Sequence, residues 1–148
     1  MEFSRSRATV PAFEFLDEAG STNDELVERA VGPEAEAWPD LSVLVTDNQT
    51  MGRGRLGRTW LAPTGKSLAI SILVRPVLAD GSPLPVERFG WLPLLAGAAM
   101  TNAVRTIVDP FAAQAAREAA DAQETPAAIT ADLKWPNDVL ISGYKVCG

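Results

Sequence analysis

The stretch Thr50–Trp60, TMGRGRLGRTW, sets glycines at 52, 54 and 57 among arginines at 53, 55 and 58. Those residue types at that spacing are suited to holding anions. Glycines free backbone N–H groups to converge on a negative charge, and guanidinium forks meet carboxylate or phosphate oxygens two bonds at a time. The chain has no histidine, so His-based triads and His-ligated zinc are excluded. Any chemistry here rests on fixed cations, hydroxyls, amides and carboxylates.

The formal net charge is −6, from 13 Lys and Arg against 19 Asp and Glu. Such a balance is ill suited to neutralising a nucleic-acid backbone. Three of the ten arginines nevertheless fall between positions 53 and 58. Positive charge gathered locally on an acidic chain favours a small anionic ligand over a long polyanion.

Two phosphate-binding motifs fail on context. Gly52-x-Gly54-x-x-Gly57 matches the dinucleotide fingerprint, which requires a helix opening at the glycines and an acidic residue about twenty positions on. Trp60, Pro63 and Gly65 intervene instead, the next segment alternates as a strand, and the later region reads SILVRPV. PTGKS lacks the first Walker glycine, because Trp60 occupies its place. What remains is an anion-holding loop, or a solvated hairpin loop with scattered charge.

The elements that must position this loop follow from pattern. A chain of 148 residues is one domain's worth, with 47% hydrophobic and 22% charged residues as in ordinary globular proteins. Residues 1–12 lack periodicity and read as a tail before a strand at Phe13–Leu16. Thr22 and Glu25 form a capping box for a short helix with the stripe Leu26, Val27 and Ala30, ended by Gly32 and Pro33. LSVLVTD and SLAISILVRP read as strands, with a turn at Pro63-Thr64-Gly65. The main helix runs over 87–108, with Pro93 in its first turn or marking its true start. Residues 109–129, bracketed by Pro110 and Pro126, read as a helical extension or a flexible insertion. ITADLKW is a strand, Pro136-Asn137-Asp138 a turn, and VLISG with YKVCG a hairpin. Trp135 reads as a core aromatic and Cys147 as a small buried residue; a lone cysteine excludes an internal disulfide. The expected class is α+β with a mixed, largely antiparallel sheet packed against helices. With no signal peptide and no run near ~18 apolar residues, a soluble cytoplasmic protein is expected.

Three blocks in order, GSTNDEL (20–26), TMGRGRLGRTW (50–60) and LKWPNDVLISGYKVCG (133–148), resemble the catalytic domain of bacterial biotin–protein ligases. The resemblance covers residues 13–148. It implies the fold shared with lipoate–protein ligases and, distantly, class II aminoacyl-tRNA synthetases. It implies ATP-dependent activation of biotin to biotinyl-5'-AMP, with Mg2+, and transfer to a lysine of the biotin carboxyl carrier domain of a carboxylase. By the same resemblance Ser21, Thr22, Asn23 and Gln49 contact biotin, and Arg53, Gly54 and Arg55 close over biotin and the adenylate. Lys145 meets the biotin carboxylate and the α-phosphate, and Arg53, Arg55, Arg58, Lys134 and Asn137 approach the nucleotide. Asp138 assists as a base for the acceptor lysine or as a magnesium ligand. The family's amino-terminal DNA-binding domain, its remaining strands and its small carboxy-terminal domain are not matched, so a fragment of the catalytic domain without repressor function is expected. A lipoate or octanoate ligase, or a non-catalytic biotin- or nucleotide-binding fragment, are the alternatives.

Overall fold

The run LSVLVTD forms the central strand of the first half of the molecule because its β-branched residues suit a strand covered on both faces. The computed structural model describes residues 2–54, 57–123, 125 and 128–148. They fall into two compact units, Met1–Pro83 and Leu84–Gly148.

In the first unit, β1 (Phe13–Leu16) and β2 (Val43–Thr46) pair in parallel, from Phe13↔Val43 to Leu16↔Thr46. A later strand, Ala69–Ile72, adds antiparallel on the other edge of β2. All four residues of β2 are buried. A parallel pair needs a crossover, and the helix Thr22–Val31 lies within it. That helix buries Leu26 against Trp38 and Leu44, bordered by Ala12, Leu16 and Leu73. Val27, expected on the same stripe, is exposed.

Two local readings change here. Residues 1–12 are not a plain tail: α1 (Ser4–Thr9) forms ahead of β1. Its anchor is aromatic, with the Phe3 ring 5.3 Å from that of Phe13 and 5.4 Å from that of Phe15. Six residues are too few to show a helical period, so the sequence pattern missed them. The helix Thr22–Val31 is α2. The glycine–arginine stretch, expected as a loop, is a short ribbon in which β3 (Gly52–Arg53) pairs antiparallel with β4 (Thr59–Trp60). Gly54 N donates to Arg58 O at 2.6 Å to close it. The strand Ala69–Ile72 is then β5. The turn before it is as expected, with Lys66 N donating to Pro63 O and Gly65 at φ 74°.

In the second unit a 3-10 turn at Val86–Trp91 leads into α3 (Leu92–Asp121), with Pro93 in its first turn as expected. The helix runs on through Pro110 to Asp121, so of the two readings of the segment after 108 the helical extension holds that far. A proline interior to a helix removes one ladder bond; the bonds on either side carry α3 past it. Pro126 lies outside the described residues. Three antiparallel strands follow in chain order: β6 (Ala131–Lys134), β7 (Asp138–Ile141) and β8 (Tyr144–Cys147). Ser142 and Gly143 both have positive φ, 47° and 84°, as a two-residue hairpin turn matched to strand twist requires. Arg105 Nε donates to Ala131 O at 2.9 Å, tying α3 to β6. Trp135 corrects an expectation: it stands in the β6–β7 turn and is 80% exposed, not a core aromatic. The turn lifts it off the sheet face where burial would have placed it. Cys147 is half-buried. The class is α+β with a mixed, mainly antiparallel set of strands, as the pattern indicated. Among the described residues no helix is long and apolar enough to cross a membrane.

Candidate functional site

The start of α2 supplies the first group of polar side chains. Ser21 is its N-cap, in an extended conformation, and its Oγ accepts from Asp24 N at 3.4 Å. The expected capping box of Thr22 with Glu25 is therefore one residue out. Thr22 is already helical, and its hydroxyl points across to another segment instead of capping its own helix.

That segment is Gln49. A parallel bridge between Ala19 and Gln49 brings the loop after β2 alongside the entry to α2. Thr22 N and Thr22 Oγ1 both donate to Gln49 Oε1, at 3.0 and 3.2 Å. From β5, Ser71 Oγ donates to Thr22 Oγ1 at 2.9 Å. Thr22 and Ser21 are buried and Asn23 is exposed. Gly52 lies against the other end of the Gln49 amide: a Cβ there would stand 2.6 Å from Nε2. Only glycine lets β3 approach so closely. A crevice of about 10 Å³, lined in part by Thr46, Gln49, Trp60 and Ala69, adjoins this group. It has room for about one water molecule, so a larger ligand must displace part of its wall.

Arg53 extends from β3 to Asp24 in the first turn of α2, where the two side chains form an ion pair. The hydrogen bond and charge of Asp24 raise the Arg53 pKa above its ordinary value. Both side chains are more than half exposed, so the pair contributes little to stability and exchanges readily with solvent or another anion. Arg58 is exposed; only its backbone has a described role, accepting from Gly54. Arg55 lies outside the described residues.

The second group belongs to the β6–β7–β8 sheet. Lys145 Nζ stands 2.8 Å from Asp138 Oδ1. The pairing of β7 with β8 shifts between Val139↔Cys147 and Leu140↔Lys145. That irregularity adds a residue to β8 and aims Lys145 back along the hairpin. Lys134 is exposed and opposite Asp138 across β6 and β7. Asn137, in the turn between them, is reached closely by α3: a Cβ at Gly97 would stand 2.8 Å from Asn137 Cα.

The sequence-derived candidates thus fall in two sets. Ser21, Thr22, Gln49 and Arg53 gather in the first unit; Lys134, Asn137, Asp138 and Lys145 gather in the second. Ser71, Asp24 and Gly97 were missed. Ser71 alternates within a strand run, Asp24 reads as a helix-terminal acid, and Gly97 sits in an apolar helix. None carries a local signal. Among the described residues no group of three or more His, Cys, Asp or Glu could hold a metal ion.

In the first unit, hydroxyl and amide groups at the entry to α2 are suited to holding a small polar ligand; in the second, an ammonium on a hairpin is suited to meeting an anion. Residues 22–148 match the biotin/lipoate A/B protein ligase family, and the chain belongs to it. The chain is 37% identical over 131 residues to the biotin–[acetyl-CoA-carboxylase] ligase of Mycobacterium tuberculosis, covering 88% of this chain and 40% of that protein. It is 32% identical over 110 residues to the bifunctional ligase/repressor BirA of Bacillus subtilis, covering 74% of this chain and 26% of that one. Among solved structures, the biotin protein ligase of Leishmania major in complex with biotinyl-5-AMP superposes with a TM-score of 0.61 at 33% identity, over 92% of this chain and 49% of that one. The same ligase in complex with biotin gives 0.60 at 34%. The chain spans less than half the length of these relatives.

Proposed function

We propose that this chain takes part in ATP-dependent activation of biotin to biotinyl-5'-AMP, and in transfer of biotin to a lysine of a biotin carboxyl carrier domain in the cytoplasm. The observation that carries this reading is the likeness to the Leishmania major ligase bound to biotinyl-5-AMP, over 92% of the chain. Relatives named as biotin ligases favour biotin over lipoate.

The residues suit the reaction. A carboxylic acid is ionised at neutral pH, so the first step needs no base. A carboxylate oxygen of biotin bonds to the α-phosphorus of ATP, the bond to the bridging oxygen breaks, and pyrophosphate leaves. Catalysis is then chiefly positioning and charge neutralisation. In this reading Ser21, Thr22, Asn23 and Gln49 hold the ureido ring, and Arg53, Gly54, Arg55 and Arg58 close over the anionic end. Lys145 meets the carboxylate and α-phosphate, with Lys134 and Asn137 nearer the nucleotide. Mg2+ enters as part of the MgATP substrate, and Asp138 is the residue that would help hold it; among the described residues no group of three or more His, Cys, Asp or Glu could hold the ion alone. In the second step the carrier lysine's amine attacks the acyl carbon and AMP departs. Asp138, 2.8 Å from Lys145, orients that ammonium and is placed to receive a proton from the incoming amine. The glycine–arginine ribbon shelters the adenylate from water.

The test is to incubate the chain with biotin and MgATP and look for biotinyl-AMP by mass spectrometry, then add a carrier domain and look for the biotinylated lysine. Adenylate with biotin and none with lipoate is expected; adenylate with lipoate alone would overturn the assignment.

A further inference from the structure

The hydrogen bonds around Gln49 have a direction that can be deduced. A backbone N–H can only donate, and an amide nitrogen has no lone pair to accept with. The atom 3.0 Å from Thr22 N is therefore the amide oxygen of Gln49. Thr22 Oγ1, 3.2 Å from that same oxygen, must spend its single proton on it. Its remaining capacity is to accept, so Ser71 Oγ, 2.9 Å away, must be the donor. The chain runs one way, from Ser71 through Thr22 to Gln49. It leaves the Gln49 Nε2 group, which carries two N–H donors and no acceptor, as the end that can meet a ligand. Gly52 backs that end, its absent Cβ leaving the room Nε2 fills.

We infer that Ser71 is a positioning residue and a determinant of specificity: through Thr22 it locks the Gln49 amide with its donors outward, so the site selects a ligand head that offers a carbonyl oxygen. This rests on the reading that Thr22 and Gln49 face the ureido end of biotin. Without Ser71, the Thr22 hydroxyl is free to turn and Gln49 loses one of its two restraints; the Thr22 N–H still calls for the amide oxygen, so the orientation is held less firmly but not released. A ring bearing a donor in place of the carbonyl is then turned away less strongly, because the amide that faces it with donors is less firmly held.

The experiment is calorimetric titration of the 148-residue chain with biotin and with 2-iminobiotin, whose protonated guanidinium offers only donors where biotin has its oxygen. Ser71→Ala and Ser71→Thr are compared with the parent, with melting curves to confirm folding. Ser71→Ala should weaken biotin about five- to tenfold, the worth of one hydrogen bond, leave iminobiotin unchanged or tighter, and so narrow the ratio between them. Ser71→Thr, which keeps the hydroxyl, should restore it. Equal loss for both ligands, or no loss for biotin, would overturn the assignment. If the parent binds neither ligand, the biotin reading fails, and the relay is judged on the side-chain amide signals of Gln49 in the nitrogen–proton correlation spectrum of the free protein. A change in those signals in Ser71→Ala that Ser71→Thr reverses upholds the relay, and unaltered signals in Ser71→Ala refute it.

Discussion

Lys145 and Asp138 meet at 2.8 Å across the β7–β8 hairpin, on strands whose pairing is irregular between them. The lysine is nearly half exposed and the aspartate about a quarter, so the pair is open enough for an anion to share the ammonium. Exposed pairs stabilise folds by about 1 kcal/mol or less. Lys145→Ala should therefore lower adenylate formation by about 10²–10³-fold, as loss of one transition-state cation does, with little change in melting. Equal loss of activity and of folded protein would instead mark the lysine as structural.

Gly52→Ala should lose about 1–3 kcal/mol, as overpacked sites do, because the new methyl would stand 2.5 Å from the Trp60 backbone oxygen and 2.6 Å from Gln49 Nε2. Urea unfolding measures the loss. A fully stable variant would mean that Gln49 does not lie against β3.

The second unit carries the same kind of constraint at Gly97. A methyl there meets backbone, Asn137 Cα at 2.8 Å, which cannot swing aside as a side chain can. Gly97→Ala should cost about 1–3 kcal/mol and shift the amide signals of Asn137 and Asp138. Unchanged signals there would show that α3 does not set the position of this turn.

Arg53 is held by Asp24, so an anionic ligand must compete for it. Asp24→Asn should tighten biotin binding about two- to fivefold, and Arg53→Ala should weaken it by a similar factor, the scale of an exposed pair. Calorimetry on both variants decides. Weaker binding in both would assign Asp24 to the site itself.

How much of this was legible in the sequence depends on the range of the interactions. β1 was read to the residue, and the β7–β8 hairpin was read from Gly143 and the alternation around it, because strand pattern and turn chemistry are local. The three blocks that carry the family resemblance were legible because their residue types are unusual together. Thr22 was misread as a cap because Ser21 and Thr22 both suit that role; only the bridge from Ala19 to Gln49, thirty positions along, decides between them. Ser71 and Gly97 act through partners far away in the chain, and nothing beside them signals it. Pro110 left two readings open because the rule against helical proline is statistical; a helix of 30 residues has bonds to spare, and it runs on.

The proposed activity requires biotin's carboxylate to meet the α-phosphate of ATP. Pyrophosphate released from MgATP by the chain, counted with biotin and then with lipoate as the only acid, tests it most directly. Release that depends on biotin, falls away with lipoate and collapses in Lys145→Ala is the predicted result. Release that follows lipoate, or that ignores Lys145, would contradict it.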